Sequence, residues 1–317
     1  MNRHFKTFLL VLGGVTLVAG SAMFAVGCKS IGKNTITREV DLSTKEEFTK
    51  FDFACDTSDI EFVLTTDSTK KIVYQESEKV FHTDEVKDGT LFIKQVEDIK
   101  WYERIFTFDF APKKATVYLP VAELDELKVD NSTGDLKIPH DFSFKTVDIK
   151  LSTGNISFNA NVNGETKITT STGDVSLIDN SLKSLFVHRS TGKLTIKNVN
   201  VEEAITVEGS TGDVRISDTN AASLKISSST GEVNLNNVKL TGDLDIKTST
   251  GDVEFDDIDF ANGNIKTGTG DVEGTLSTAK YIEADSDTGK IKVDSDRTVT
   301  QELKVKTDTG NINITNK

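Results

Sequence analysis

Ten residues follow ten recurring Thr-Gly steps: Asp135, Asn155, Asp174, Lys193, Asp213, Glu232, Asp252, Asp271, Lys290 and Asn311. Asp213, Glu232, Asp252 and Asp271 form the longest acidic stretch in this column and are its candidate metal ligands. Stacked carboxylates repel unless they are solvated, interleaved with cations or metal-bound, and Ca²⁺ takes several oxygen ligands. Calcium-binding β-rolls, however, use a nine-residue repeat with a Gly-Gly-x-Gly start. The repeat here is about twice that length, and Lys193 and Lys290 break the column. An Asp after a turn Gly also simply completes the turn. The expectation is no bound cofactor and no resident metal.

Catalysis has less support. Parallel β-helices do host polysaccharide lyases and hydrolases, but acids recur here in every repeat, so paired carboxylates single out no site. No long loop interrupts the spacing to wall off a pocket. No Gly-x-Ser-x-Gly elbow or Ser/His/Asp arrangement can be read, so the chain reads as a non-enzyme. Phe186 projects outward with His188 and Arg189 beside it, a small candidate binding spot. His82 and His140 read as surface residues. Cys55 has only Cys28 as a disulfide partner.

The repeat must position all of these groups. The turn glycines are Gly134, Gly154, Gly173, Gly192, Gly212, Gly231, Gly251, Gly270, Gly289 and Gly310, at intervals of 20, 19, 19, 20, 19, 20, 19, 19 and 21. Thr precedes every one, and Ser precedes that Thr in seven copies, from Ser132 to Ser249. Apolar residues fill the positions seven and five before the Gly and two and four after it, with Thr166, Gly263 and Gly274 as exceptions. Alternation with period two means strands with one buried face. A third apolar patch follows, as in Phe142, Val162, Leu182, Val201, Val238, Ile258 and Val299. One unit cannot bury its own face, so units stack. The fold class is all-β: a single-stranded parallel β-helix or β-solenoid with 19–21-residue rungs, about 50 Å long at about 4.8 Å per rung. Antiparallel hairpins closed as a sandwich or barrel are the alternative, but they give no reason for a Thr at every turn.

Residues 34–125 lack the signature and read as irregular capping rungs of the solenoid whose regular part spans 126–317. FDFACDTSDIEF fits a degenerate rung with Ser58 where the Gly would stand and Phe51, Phe53, Ile60 and Phe62 pointing inward. Lys87-Asp88-Gly89 marks a strand turn. Ser43 with Glu46 suits a short capped helical turn. Trp101, Tyr102, Phe106, Phe108, Phe110 and Tyr118 suit a cover over the end of the core.

Residues 1–33 read as targeting. Arg3, His4 and Lys6 precede the uncharged run Phe8–Gly27, which is 20 residues long and spans a bilayer as an N-terminal transmembrane helix. Two readings stay open: an uncleaved signal anchor, or a lipoprotein lipidated on Cys28. Both put the ectodomain outside the cytoplasm at the cell membrane. Of 317 residues, 50 are acidic and 37 basic, a net charge of −13, which argues against nucleic-acid partners.

The tandem segments NSTGDLKI at 131–138, TSTGDVSL at 170–177, GSTGDVRI at 209–216 and TSTGDVEF at 248–255 resemble a bacterial family of adhesin-type surface proteins with β-strand repeats, domain of unknown function 4097. The resemblance covers roughly residues 50–317 and brings no catalytic residue. It implies a membrane-tethered surface module for a glycan, a cell-wall polymer or a surface protein. Related repeats in envelope-stress systems imply a sensing or regulatory role as the alternative. Gly268, Asp287 and Asp308 replace the Ser of the last rungs, where looser turns are expected.

Overall fold

A computed structural model of the chain describes residues 35–99, 113–120 and 123–316. The expected N-terminal transmembrane segment with Cys28, and Trp101, Tyr102, Phe106, Phe108 and Phe110, lie outside the described residues. Among the described residues no helix is long and apolar enough to cross a membrane. The chain forms a β-solenoid of about ten turns.

Strands that lead into the Thr-Gly step stack in parallel on one side, with Val129 opposite Ile149 and Ile149 opposite Ile168. Strands that leave it stack on a second side, with Leu136 opposite Ile156 and Ile156 opposite Val175. Short pairs such as Phe144 with Val162 and Val162 with Leu182 close a third side. The inward columns meet in one continuous apolar core that runs from Leu42 to Ile314.

Ser58 does take the place of the turn Gly. Phe51 and Phe53 lie opposite Leu127 and Val129, Ile60 lies opposite Leu136, and Phe62 is buried with them. Lys87 and Thr90 close a hairpin over Asp88 and Gly89, both at positive φ. The short turn Leu42–Thr44 is a 3₁₀ element capped by Asp41, whose side chain accepts from the Ser43 backbone. Its cap is thus Asp41, two residues before the Ser43 of the expected Ser43–Glu46 pair.

The stacking order departs from chain order at both ends. Lys50–Thr57 lies between Thr90–Glu97 and Glu123–Thr133, so the first rung in sequence is the second in space. At the other end Glu302–Thr309 lies between Gly263–Thr269 and Tyr281–Thr288. Ile312–Asn316 likewise lies between Val272–Leu276 and Ile291–Val293. The last rung is therefore inserted beneath the one that precedes it. The first end is closed by antiparallel strands: Ile36–Asp41 on Lys71–Glu76, that strand on Lys114–Leu119, and Val80–Lys87 on Thr90–Glu97.

Candidate functional site

The turn corner shows why its residues recur. Nine of the ten turn glycines have φ between +119° and +154°, Gly289 being the exception. A Cβ on Gly251 would overlap the carbonyl oxygen of Gly231 in the rung below. The Gly251 amide donates upward to Thr269 O at 2.9 Å. The residue after the Gly completes a ladder. Asp135 Oδ1 accepts from the Asn155 amide at 2.7 Å, Asp174 Oδ1 from Lys193 at 2.8 Å, Asp252 Oδ1 from Asp271 at 2.8 Å and Asp271 Oδ1 from Asn311 at 2.7 Å. Asp213 Oδ1 accepts from the Glu232 amide at 3.2 Å, and Glu232 itself accepts from Asn234. The acidic column thus holds backbone N–H groups of successive rungs. No group of three or more His, Cys, Asp or Glu residues among those described could hold a metal ion. The Gly270 and Gly310 corners, at φ +151° and +154°, keep a positive φ somewhat above the +119° to +139° of the earlier corners, and only Gly289 leaves the positive-φ conformation.

A second column at this corner went unread: the residue three before the Gly points inward and is mostly polar. Several of its members donate to the turn carbonyl of a neighbouring rung, whereas the Thr170, Ser228 and Thr248 hydroxyls have no such partner. Asn131 Nδ2 donates to Ser58 O at 2.7 Å, Thr267 Oγ1 to Gly251 O at 3.2 Å and Thr307 Oγ1 to Gly270 O at 3.1 Å. The signal was available, since alternation from the two apolar columns before it already makes this position inward.

Arg189 belongs to that column. It is fully buried, which corrects its reading as part of a surface spot with Phe186 and His188. Its guanidinium donates to the carbonyls of Gly192, Thr211 and Gly212. It occupies the space that Gly209 leaves, where a Cβ would lie 3.4 Å from its Cζ. Burial lowers its pKa, against the opposing pull of Asp213 and Asp174. A buried cation held only by carbonyls is replaceable by a well-packed neutral group. Gly209→Thr alone should therefore lower stability by about 1–3 kcal/mol through overpacking. Arg189→Thr with Gly209→Thr, which restores the residue usual in the column, should be at least as stable as the wild type. Denaturant midpoints decide it; a double variant no better than Gly209→Thr would contradict this packing account.

At the capped end a nucleophile–base–acid sequence of contacts occurs that the sequence did not reveal. Ser58 Oγ lies 2.7 Å from His82 Nε2, and His82 Nδ1 lies 3.2 Å from Glu76 Oε2. His82 is buried at 2 % exposure, which corrects its reading as a surface residue. Ser58 is fully buried too, so its hydroxyl meets no solvent-borne substrate here, and it also reaches Gln95 at 3.0 Å. Arg38 pairs with Glu76 and Asp84, each at 2.9 Å, and lies over the Tyr74 ring, which stacks on His82. Lys45 adds a 2.7 Å pair to Asp84. These contacts stitch four strands, the Ser58 corner and Lys45, which follows the 3₁₀ turn, into a cap. The neighbouring Cys55 thiol is pushed up to about 12 by burial and is unreactive.

Burial pulls the His82 pKa below its usual value, with Arg38 and Lys113 adding to the shift and Glu76 opposing it. The unfolded chain therefore takes this proton at higher pH than the folded one. The residue's contribution is complete above the unfolded value of about 6.5 and declines as pH falls below it, by at most about 1.4 kcal/mol per pH unit. Wild-type protein should lose cap stability relative to His82→Gln between pH 7 and 5, followed by hydrogen exchange in residues 71–97. Parallel pH profiles for the two proteins would exclude this role for His82.

A groove opens on the outer face of the second side, toward the end opposite the cap. Its volume is about 430 Å³, lined by Asn234, Asn236, Glu254, Asp256, Glu273 and Asn313, with Thr275 and Thr315 beside them. These are the outward residues of four stacked strands, aligned as Asn234, Glu254, Glu273 and Asn313. Gly274, an exception in the apolar column, shapes the floor: a Cβ there would overlap the Phe255 ring. The ladder slips by one residue between Phe255 and Ile258, an irregularity of the kind that re-aims side chains beside binding sites. Asn234 Nδ2 donates to Glu254 at 3.2 Å and Thr275 to Asp256, which orients these groups. The lining holds three carboxylates and no cation. Asn313 and Thr315 reach the groove only because the last rung is inserted against Val272–Leu276.

Stacked parallel rungs, glycine corners and solvated polar faces define the class, a β-solenoid of repeated 19–21-residue coils. The chain belongs to the Toastrack DUF4097 family, whose profile matches residues 48–254 and 203–317. No curated protein matches it in sequence. Solved structures similar to it include a "putative adhesin" of Bacteroides fragilis NCTC 9343, 16% identical over 90% of this chain and 98% of that one, TM-score 0.41. Another is a "putative cell adhesion protein" of Clostridium sporogenes ATCC 15579, 13% identical over 90% and 100%, TM-score 0.23. A third is a "putative lipid binding protein" of Parabacteroides distasonis ATCC 8503, 18% identical over 89% and 97%, TM-score 0.41.

Proposed function

We propose that the chain is a non-catalytic surface module, tethered to the cell membrane through residues 1–33, that binds a hydroxyl-rich polymer in the groove around Gly274. The groove carries this reading. Carboxylates, amides and hydroxyls in two columns along four strands offer paired acceptors and donors at the strand spacing of about 4.8 Å. Such a grid suits the successive hydroxyls of a glycan or wall polysaccharide. Three carboxylates without a cation disfavour an anionic polymer. The tether supports the same arrangement, because the chain enters the solenoid at Ile36, in the capped end. The groove then lies well away from the membrane.

The experiment is affinity electrophoresis of the full-length protein in gels cast with neutral, amino-bearing and anionic polysaccharides. Retardation by a neutral or amino-bearing polymer is expected, with Glu254→Gln/Glu273→Gln and Asn234→Ala each weakening it several-fold. These side chains are solvent-facing, so the variants fold. Retardation only by anionic polymers, or retardation untouched by these substitutions, would overturn the reading.

A further inference from the structure

Among the described residues, none adds a further layer at the end of the solenoid opposite the cap. Among the described residues Tyr281–Thr288 pairs on one side only, with Glu302–Thr309, and Ile291–Val293 only with Ile312–Asn316. Among the described residues no antiparallel strand closes this end as three do at the other. A segment of the 294–301 connection covers one part: Ser295 Oγ accepts from the Ile282 amide at 2.7 Å and donates to Ile282 O at 3.1 Å. The edge from Ala284 to Thr288 and from Ile291 to Val293 stays bare of such a cover. Ile291 stands in a column whose other members are buried, such as Val272 at 0% and Ile312 at 1%, yet it is 45% exposed. Ala284 and Val293 are half-buried beside it.

The charge pattern says what would fit. The outward residues of Tyr281–Thr288 are Glu283, Asp285 and Asp287. Beneath them, Lys304 lies 3.6 Å from Glu283, and Lys306 lies 2.8 Å from Asp285 and 4.0 Å from Asp287. This rung thus lays three acids on a row in which Lys304 and Lys306 stand between Glu302 and Asp308. Neighbouring strands favour opposite charges at facing positions. A strand above these acids would carry Lys or Arg at alternate positions and apolar residues between them.

We propose that this edge is a docking site for an extended segment of a partner protein with alternating apolar and basic residues, which adds as one further parallel rung. Backbone hydrogen bonds to the bare edge supply affinity, and the alternation supplies specificity. A second copy of this chain does not fit: end-to-end pairing of two such edges would set Glu283, Asp285 and Asp287 against their own copies. This reading stands apart from the groove and from the tether, and rests on neither.

The probe is a fluorescent peptide of residues 300–316, the chain's own rung that sets Lys304 and Lys306 against these acids, titrated with the full-length protein. Saturable binding is expected, weakened at least tenfold by Glu283→Lys/Asp285→Lys or Ile291→Asp in the protein, and by Lys304→Glu/Lys306→Glu in the peptide. Hydrogen exchange should show new protection at the Ala284 and Ser286 amides with Glu302–Asn316 still protected. No binding, binding indifferent to charge reversal, or loss of protection in Glu302–Asn316, which signals strand exchange, would overturn the proposal. So would sedimentation showing that the protein alone dimerises through this edge.

Discussion

Deleting residues 302–317 removes two rungs from the solenoid, although it cuts away only one. In the intact chain, Tyr281–Thr288 and Ile291–Val293 touch the stack through Glu302–Thr309 and Ile312–Asn316. Their side chains depend on the same layer, since Lys304 and Lys306 neutralise Glu283 and Asp285. Leu303 also fills the space over Gly263, where a Cβ would lie 2.7 Å from Leu303 Cδ1. The truncated chain should therefore show amide exchange near unfolded rates throughout 281–293, with Gly263–Leu276 becoming a frayed end and the groove losing Asn313 and Thr315. The rungs from Glu123 to Thr230 should keep their protection, because a stacked array is stabilised by nearest neighbours. Full protection of 281–293 after truncation would mean that this rung docks directly on Gly263–Thr269, against the stacking order described above.

Substituting one turn glycine in mid-stack is the second large effect. Gly251→Ala forces a side chain into φ +139° and drives its Cβ into the Gly231 carbonyl, a backbone atom that cannot move without breaking the ladder. The strained conformation alone is worth about 1–3 kcal/mol, and with the overlap the loss should reach about 3–5 kcal/mol, at the exceptional end for a single residue. Gly89→Ala is the control. Gly89 also has positive φ, at +70°, but nothing lies within 4 Å of a Cβ there. Its loss should be about 1–2 kcal/mol. Denaturant unfolding checks both. Equal losses would show that conformation, and not the close approach of stacked rungs, makes the corner glycines necessary.

Much of this fold was legible because a stacked repeat writes its contacts into the sequence many times over. The interval between Thr-Gly steps, the apolar columns and even the stand-in role of Ser58 follow from alternation and turn chemistry. The order of the end rungs was not legible, and the reason is physical. Glu302–Thr309 and Tyr281–Thr288 carry the same alternation, so either could stack on Gly263–Thr269 as far as pattern alone can tell. Lys304 and Lys306 facing Glu283 and Asp285 are compatible with both orders. Arg189 and His82 were misplaced for different reasons. Alternation puts Arg189 inward, but its charge argues for solvent; the empty place at Gly209 and the inward carbonyls of the turn resolve the conflict. His82 sits in a strand that occurs once, where no repeat fixes which face is buried. The groove was half visible: Gly274 stood out as an exception, but its meaning depends on the Phe255 ring beneath it and on the inserted last rung beside it.

The exchanged order of the final rungs assembles the groove and leaves the acidic edge bare, and short thiol cross-linking tests it directly. Three paired cysteine substitutions are made at outward positions of one column: Asn264 with Lys304, Lys304 with Glu283, and Asn264 with Glu283. Register places Asn264 opposite Lys304 and Lys304 opposite Glu283. The first two pairs should cross-link rapidly in the folded protein, as mapped by mass spectrometry, while the third, two layers apart with Lys304 between, should not. Rapid cross-linking of Asn264→Cys with Glu283→Cys, together with failure of Asn264→Cys with Lys304→Cys, would show rungs stacked in chain order and contradict the account.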